Sequence, residues 1–253
     1  MLLPTKLQVR RAFEKAVPSY DAAARVQRRV CGWLAQGLPA TVSSGAVVDV
    51  GCGTGRALRL LRERFPAGQL IAGDLVPAML RQVPPHLHAQ SVVGDAECLP
   101  LAEACAGLYW SSLTLQWCDL GRSLAEARRV LTKGGHLAIG TLGPDTYSEL
   151  RAAFAYADRH RHTLDFLTPK AISEAAAGFS DLRLERRRET VYFPDLRALL
   201  NAIKALGANQ LAGRRNGLMG RQAWQRAESA YESLRGSDGL PLTYDIVLLH
   251  ARR

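Results

Sequence analysis

Three glycines at alternate positions, Gly51, Gly53 and Gly55, separate an apolar run carrying an acid, VVDV with Asp49, from a helical pattern, RALRLLRERF. Glycine lets backbone approach a ligand closely, and free N–H groups at a helix start attract a negative group, so this reads as a ligand-binding turn. Two further acids follow in order. Asp74 ends the apolar run QLIAGD, nineteen residues after Gly55, with Leu75 next to it. Asp95 follows a third short run in VVGDAECLPL, with Ala96 beside it. A carboxylate ending the second strand of an open α/β sheet can accept hydrogen bonds from both hydroxyls of a ribose. Asp95 follows its run in the same way, and GDAE can also be a turn with an exposed acid. A dinucleotide fold would have G-x-G-x-x-G, and Arg56 stands where its third glycine belongs.

These residues need an alternating scaffold to bring them to one sheet edge, and the patterning supplies it. Strands are expected near 46–50, 69–74, 89–93, 107–111 and 135–141, with helices near 54–65, 77–83 and 121–131. LTKGGHLAIGT reads as a helix end, a glycine turn and the fifth strand. Residues 6–37 read as two helices broken near Pro18. Segment 144–178 looks helical with a turn at Leu167–Thr168–Pro169, and LRLERRRETVYF, 182–193, alternates as a sixth strand. Residues 195–235 look helical, interrupted by the loop GRRNGLMGR at 213–221, and PLTYDIVLLHARR makes the last strand. The expected fold is α/β: one Rossmann-like domain over 1–253, its seven-stranded, mostly parallel sheet carrying helices on both faces. Its parts are an N-terminal helical cap (1–40), a ligand-binding core (46–141), substrate-side helices with the sixth strand (142–235) and the last strand (241–253). The helices between the last two strands are expected to form a lid insertion over the ligand edge.

Composition narrows the function classes. With 253 residues, 47% of them hydrophobic, the chain can bury one substantial core. No apolar run approaches the ~20 residues of a membrane span, and MLLPTKLQVRR lacks a signal-peptide core, so a cytoplasmic protein with no membrane partner is expected. Cys31, Cys52, Cys98, Cys105 and Cys118 form no C-x-x-C pair and read as reduced thiols. His160 and His162 at i, i+2 suit no metal site, and none is expected. The net charge of +10, carried by 28 arginines among 33 basic residues, favours an acidic partner through steering. Nucleic acid is not expected, because no basic run with interleaved aromatics or zinc-finger spacing is present.

The acid followed by G-x-G-x-G resembles the first motif of the Rossmann-like methyltransferases that use S-adenosylmethionine (SAM). That resemblance implies a cofactor site built from Asp49, Gly51, Gly53, Gly55, Asp74, Leu75, Asp95 and Ala96. Nearly the whole chain is similar to the malonyl-acyl carrier protein O-methyltransferases of biotin synthesis. The similarity is carried by FEKAVPSYDAAARVQRRV, which places Tyr20 and Gln27 at matching positions, and by WSSLTLQWCDLGRSLAEARRVLTKGG, with Gln116 and Trp117. It is carried further by TLGPDTYSELRAAF, by HRHTLDFLTP with His162, and by PLTYDIVLLHAR. Two positions depart from the family pattern: Gly107 stands where an acid is usual, and Ser112 where asparagine is usual.

The resemblance implies methyl transfer from SAM to the free carboxylate of a malonyl thioester, borne by an acidic acyl carrier protein or by coenzyme A. The methyl ester primes pimeloyl synthesis. It also implies a lid role for Tyr20, a cofactor contact by Ser112 in place of the asparagine, and a substrate pocket at Gln116 and Trp117. Arg151 and His162 follow the fifth strand on the ligand edge, where either can bind the substrate carboxylate by charge-assisted hydrogen bonds. Tyr20, Arg151 and His162 are thus the expected reaction-side residues. Arg187, Arg214, Arg215 and Arg221 are expected to dock the carrier. Two other readings fit parts of the chain: an arginine hydroxylase-like SAM-fold protein of respiratory-complex assembly, which shares the S-L-x-L-x-W and G-x-D-T-x-x-E-L-R segments, and a non-catalytic SAM-fold partner protein.

Overall fold

The computed structural model describes residues 3–42, 44–208 and 220–253. Seven strands form one sheet: β1 (Ala46–Val50), β2 (Leu70–Asp74), β3 (Gln90–Val93), β4 (Ala106–Ser112), β5 (Leu131–Leu142), β6 (Ser180–Phe193) and β7 (Leu240–Arg252), in the order β3-β2-β1-β4-β5-β7-β6. The β1–β2, β2–β3, β1–β4 and β4–β5 pairs are parallel and β5–β7 is antiparallel. This is the Rossmann-like, mostly parallel sheet that the alternation of runs predicts. Every residue of β1 is buried, as befits a central parallel strand covered on both faces.

Two compact units divide the described residues. One takes in Ala24–Leu142, Leu167–Arg187 and Ile246–Arg253, the other Met1–Ala23, Gly143–Phe166 and Arg188–Asp245. In the first unit, α2 (Arg25–Gln36) turns Val26, Val30, Cys31 and Leu34 inward and packs on β4 and β5. A Cβ on Gly140 of β5 would lie 2.9 Å from Val30 Cγ1, so the bare glycine is what lets the helix approach. Helices α3 (Arg56–Arg64), α4 (Pro77–Leu80) and α5 (Leu120–Val130) pack on β1 to β5. The Asp119 side chain caps α5 by accepting from Arg122 N at 2.9 Å. At the far end of this unit, His136 on β5 and His250 on β7 share a ring-nitrogen contact of 3.1 Å, and His136 is mostly buried.

In the second unit, α1 (Lys6–Ala23) packs on α8 (Leu196–Ala205), and α6 (Ser148–Ala155) packs on α9 (Arg221–Glu232). The expected break near Pro18 is not there: α1 runs through the proline to Ala23, and the chain breaks at Ala24. A helix survives one missing backbone bond when its packing holds it, and Ser19 Oγ ties α1 to Ala205 O at 2.9 Å. Segment 144–178 is helical only over α6 and α7 (Pro169–Ala175), and the intervening residues fold back on α6 through side-chain contacts. Arg214 and Arg215 lie outside the described residues, and Arg221 opens α9. Arg187, in the first unit, is engaged by its own neighbours: its guanidinium lies over the Trp33 ring at 5.3 Å, bonds Gln36 Oε1 at 3.1 Å and pairs with Glu185 at 2.6 Å.

Candidate active site

The glycine turn leaves β1 and enters α3, and all three of its glycines are left-handed, with φ of 75°, 54° and 84° at Gly51, Gly53 and Gly55. A side chain on Gly51 would also strike Thr114 Oγ1 at 2.0 Å. The turn is sewn to the end of β2. Gly51 N and Cys52 N donate to Gly73 O at 2.7 and 3.0 Å, Gly53 N donates to Asp74 Oδ2 at 2.9 Å, and Gly55 N donates to Cys52 O at 3.0 Å. Four amides of the turn, those of Gly51, Cys52, Gly53 and Gly55, are therefore consumed inside the protein. A turn whose amides are spent is a poor pyrophosphate cradle, which agrees with the absence of the third dinucleotide glycine.

What the turn does offer is acceptors. Asp49 is 1% exposed, and its Oδ2 is buried with no hydrogen-bond partner among the described residues. Burial pushes its carboxyl well above the usual carboxylate range, and the nearby Asp74 charge adds to the shift. Asp74 accepts from Gly53 N and, at 2.8 Å, from Val76 N. Burial raises its pKa, and the N–H groups of Val76, Gly53 and Leu75 pull the other way. A carboxylate has about four lone-pair directions, so it can still receive hydroxyls. Asp95 Oδ1 accepts from Glu97 N at 3.0 Å in a tight turn, and Ala96 beside it is buried. Two more orphaned acceptors belong to this unit. Gln116 donates its Nε2 to Leu113 O at 2.7 Å and leaves Oε1 buried and unpartnered, and Gln27 Oε1 on α2 is left likewise.

Buried acceptors without donors call for a ligand that brings donors and positive charge. An ammonium and ribose hydroxyls answer that description, and a phosphate does not. Sequence reasoning matched Gln27 to a family position without giving it a job; its orphaned oxygen is visible only once α2 is packed. Ser112, where asparagine is usual, accepts from Cys31 Sγ at 3.6 Å, and burial pushes the Cys31 thiol up to about 11. Trp117 is buried, as is Trp110. Asp95, Glu97 and Cys118 bring ligand atoms within 4.8 Å of one another. Glu97, however, already accepts from Asp119 N at 3.0 Å and pairs with Arg122 at 3.4 Å.

Tyr20, Arg151 and His162 all belong to the second unit. Tyr20 stacks obliquely near Phe13 at 6.4 Å on α1. His162 gives Nε2 to Asp158 Oδ1 at 2.9 Å and lies 4.5 Å from the Phe154 ring. Arg151 donates to Thr146 O and, at 2.6 Å, to Pro144 O. The turn that these carbonyls belong to carries a residue the sequence did not mark. Tyr147 is left-handed at φ 60°, buried, and edge-on to Tyr244 at 5.0 Å and to Phe166 at 6.4 Å. A tyrosine carries no sequence signal for that backbone.

Residues 48–139 match the family profile described as a methyltransferase domain. The chain is 49% identical over 253 residues to a malonyl-acyl carrier protein O-methyltransferase of Dechloromonas aromatica, covering 99% of this chain and 95% of that protein. The chain belongs to the malonyl-acyl carrier protein O-methyltransferase family. A bifunctional biotin biosynthesis protein of Cellvibrio japonicus is 37% identical over 251 residues, 96% of this chain and 49% of that protein. Among solved structures, the YcgJ protein of Bacillus subtilis aligns with a TM-score of 0.63 at 12% identity, over 89% of this chain and 98% of that one, which supports the fold. Neither the hydroxylase-like nor the non-catalytic reading is favoured by these likenesses. Among the described residues, no helix is long and apolar enough to cross a membrane.

Proposed function

We propose that this protein methylates the free carboxylate of a malonyl thioester, with the malonyl group carried by acyl carrier protein and SAM as methyl donor. The observation that carries this reading is the glycine turn, with its amides spent on Gly73 and Asp74 and buried acceptors left over at Asp49, Gln116 and Gln27. These acceptors fit a cationic nucleoside. Asp49 and the glutamines would hold the ammonium end, Asp74 the ribose, Asp95 with Ala96 the adenine, and the glycines and Leu75 would shape the cradle. Bound there, SAM supplies an electrophilic methyl group. The near-full-length relative named malonyl-acyl carrier protein O-methyltransferase supports the malonyl substrate.

The chain's residues have binding and positioning work to do, since a carboxylate with a reference pKa near ~4 is already ionised at neutral pH and needs no base. Rate then comes from aligned approach and excluded water. The family resemblance makes Gln116 and Trp117 candidates for acyl contact in one unit, and Tyr20, Arg151 and His162 reaction-side candidates in the other. The test is radiolabelled SAM with malonyl-carrier protein and malonyl-coenzyme A side by side. Label should appear in a base-labile methyl ester, faster on the carrier protein. No label on either substrate overturns the reading.

A further inference from the structure

The charge partners of the two candidate cations differ, and on that ground we infer that Arg151, rather than His162, takes the malonyl carboxylate and distinguishes substrate from methylated product; this rests on the function proposed above. His162 has its counter-charge built in, since Nε2 sits 2.9 Å from Asp158 Oδ1, and both side chains are largely buried. Arg151 is half-buried, and its partners are two neutral carbonyls, Thr146 O and Pro144 O. Among the described residues no carboxylate forms an ion pair with it. The acids around it are spent elsewhere. Asp145 pairs with Arg188 at 3.3 Å, Asp245 Oδ2 accepts from Asp145 N at 3.2 Å, and Glu149 accepts from Thr243 N at 3.2 Å and from Thr243 Oγ1. A half-buried cation whose partners are neutral carbonyls is open to an anionic ligand.

The guanidinium is also held still. Its two carbonyl partners sit in a turn clamped to β7: Gly143 N donates to Asp245 O at 2.8 Å, and Tyr147 N donates to Thr243 O at 2.7 Å. Thr146 Oγ1 both donates to Asp245 O and accepts from Asp245 N, each at 3.0 Å. The left-handed Tyr147 closes the turn, over-determined by these bonds and by its aromatic neighbours. Two of the five guanidinium N–H groups are used, so three remain for a ligand. A preorganised cation recognises a carboxylate without ordering cost. Methylation turns that carboxylate into a neutral ester, which loses the ion pair. Arg151 would therefore bind substrate and release product.

The experiment measures binding of malonyl-coenzyme A and its methyl ester to wild-type protein, Arg151→Met, Arg151→Lys and His162→Gln, with SAM affinity measured in each. Wild type should prefer the malonyl form by roughly tenfold or more, or about 1.4 kcal/mol. Arg151→Met should bring that ratio near one with SAM affinity kept. Arg151→Lys should keep part of the ratio, and it decides the matter if the methionine variant fails to fold. His162→Gln should keep most of it. A ratio retained in Arg151→Met, or lost in His162→Gln instead, overturns the assignment while leaving the proposed function standing. Wild type that neither methylates nor prefers the malonyl form sinks that function, and this assignment with it.

Discussion

Replacing Asp49 with asparagine should push stability and cofactor affinity in opposite directions. Asp49 is 1% exposed with an unpartnered Oδ2, beside a second carboxylate, and its carboxyl lies well above the usual range through burial and then through Asp74. The folded state therefore holds this proton more tightly than the unfolded chain, whose reference value is about 3.9. Between those two values the native state binds more protons, so this group makes stability fall as pH rises. Asparagine keeps the shape and cannot ionise. The amide leaves a buried polar group in place and removes only the cost of a buried unpaired charge, so Asp49→Asn should stabilise the ligand-free protein by about 1–3 kcal/mol at neutral pH. At ~2–4 °C per kcal/mol for a chain of this size, the melting temperature should rise by roughly 2–12 °C.

SAM binding should weaken about ten- to hundredfold in the same variant, because a charge-assisted bond worth ~1.5–3 kcal/mol is lost. Thermal melts with and without SAM across pH read both effects. The difference between variant and wild type, which cancels the other titrations, should vanish below the ordinary carboxylate range and grow as pH rises through it. The SAM-induced shift should shrink in the variant. If the ligand-free variant melts lower than wild type at every pH, Asp49 is a structural acid with a satisfied partner, and the acceptor-rich site has been misread.

Asp74→Ala removes the acceptor for Gly53 N and Val76 N as well as for the ribose, so calorimetry should show SAM affinity down at least about tenfold; an unchanged dissociation constant would take Asp74 out of the site. Gly51→Ala combines a left-handed backbone with a 2.0 Å clash against Thr114, and should cost roughly 2 kcal/mol or more in a denaturant melt along with cofactor binding. A fully active, fully stable Gly51→Ala protein would contradict the turn geometry. His136 is lowered to about 4 by burial and then by His250, and His250 is itself lowered, so the unfolded chain takes up these protons first. Their stability contribution is present above pH ~6.5 and is lost as pH falls towards 4. His136→Phe should flatten that loss in the pH dependence of the melting temperature, and an unchanged slope would refute it.

The alternation of apolar runs and helical stretches determined the sheet and put Asp74 at the end of its strand and Asp95 just beyond the next. Side-chain period, strand length and the order of Asp49, Asp74 and Asp95 are all local properties of the chain, and they survive folding because a buried parallel strand needs an unbroken apolar run. The glycine turn was legible for the same reason, since left-handed backbone selects glycine. The sequence could not show where each donor and acceptor goes. That the amides of Gly51, Cys52 and Gly53 are consumed by Gly73 and Asp74 depends on how two strands register. Pro18 looked like a helix break because propensity is local, whereas the packing of α1 on α8 is not. Arg151 and His162 looked equivalent as cations. Only the tertiary fold gave one of them a carboxylate and the other two carbonyls, because charge compensation depends on neighbours brought together from distant parts of the chain.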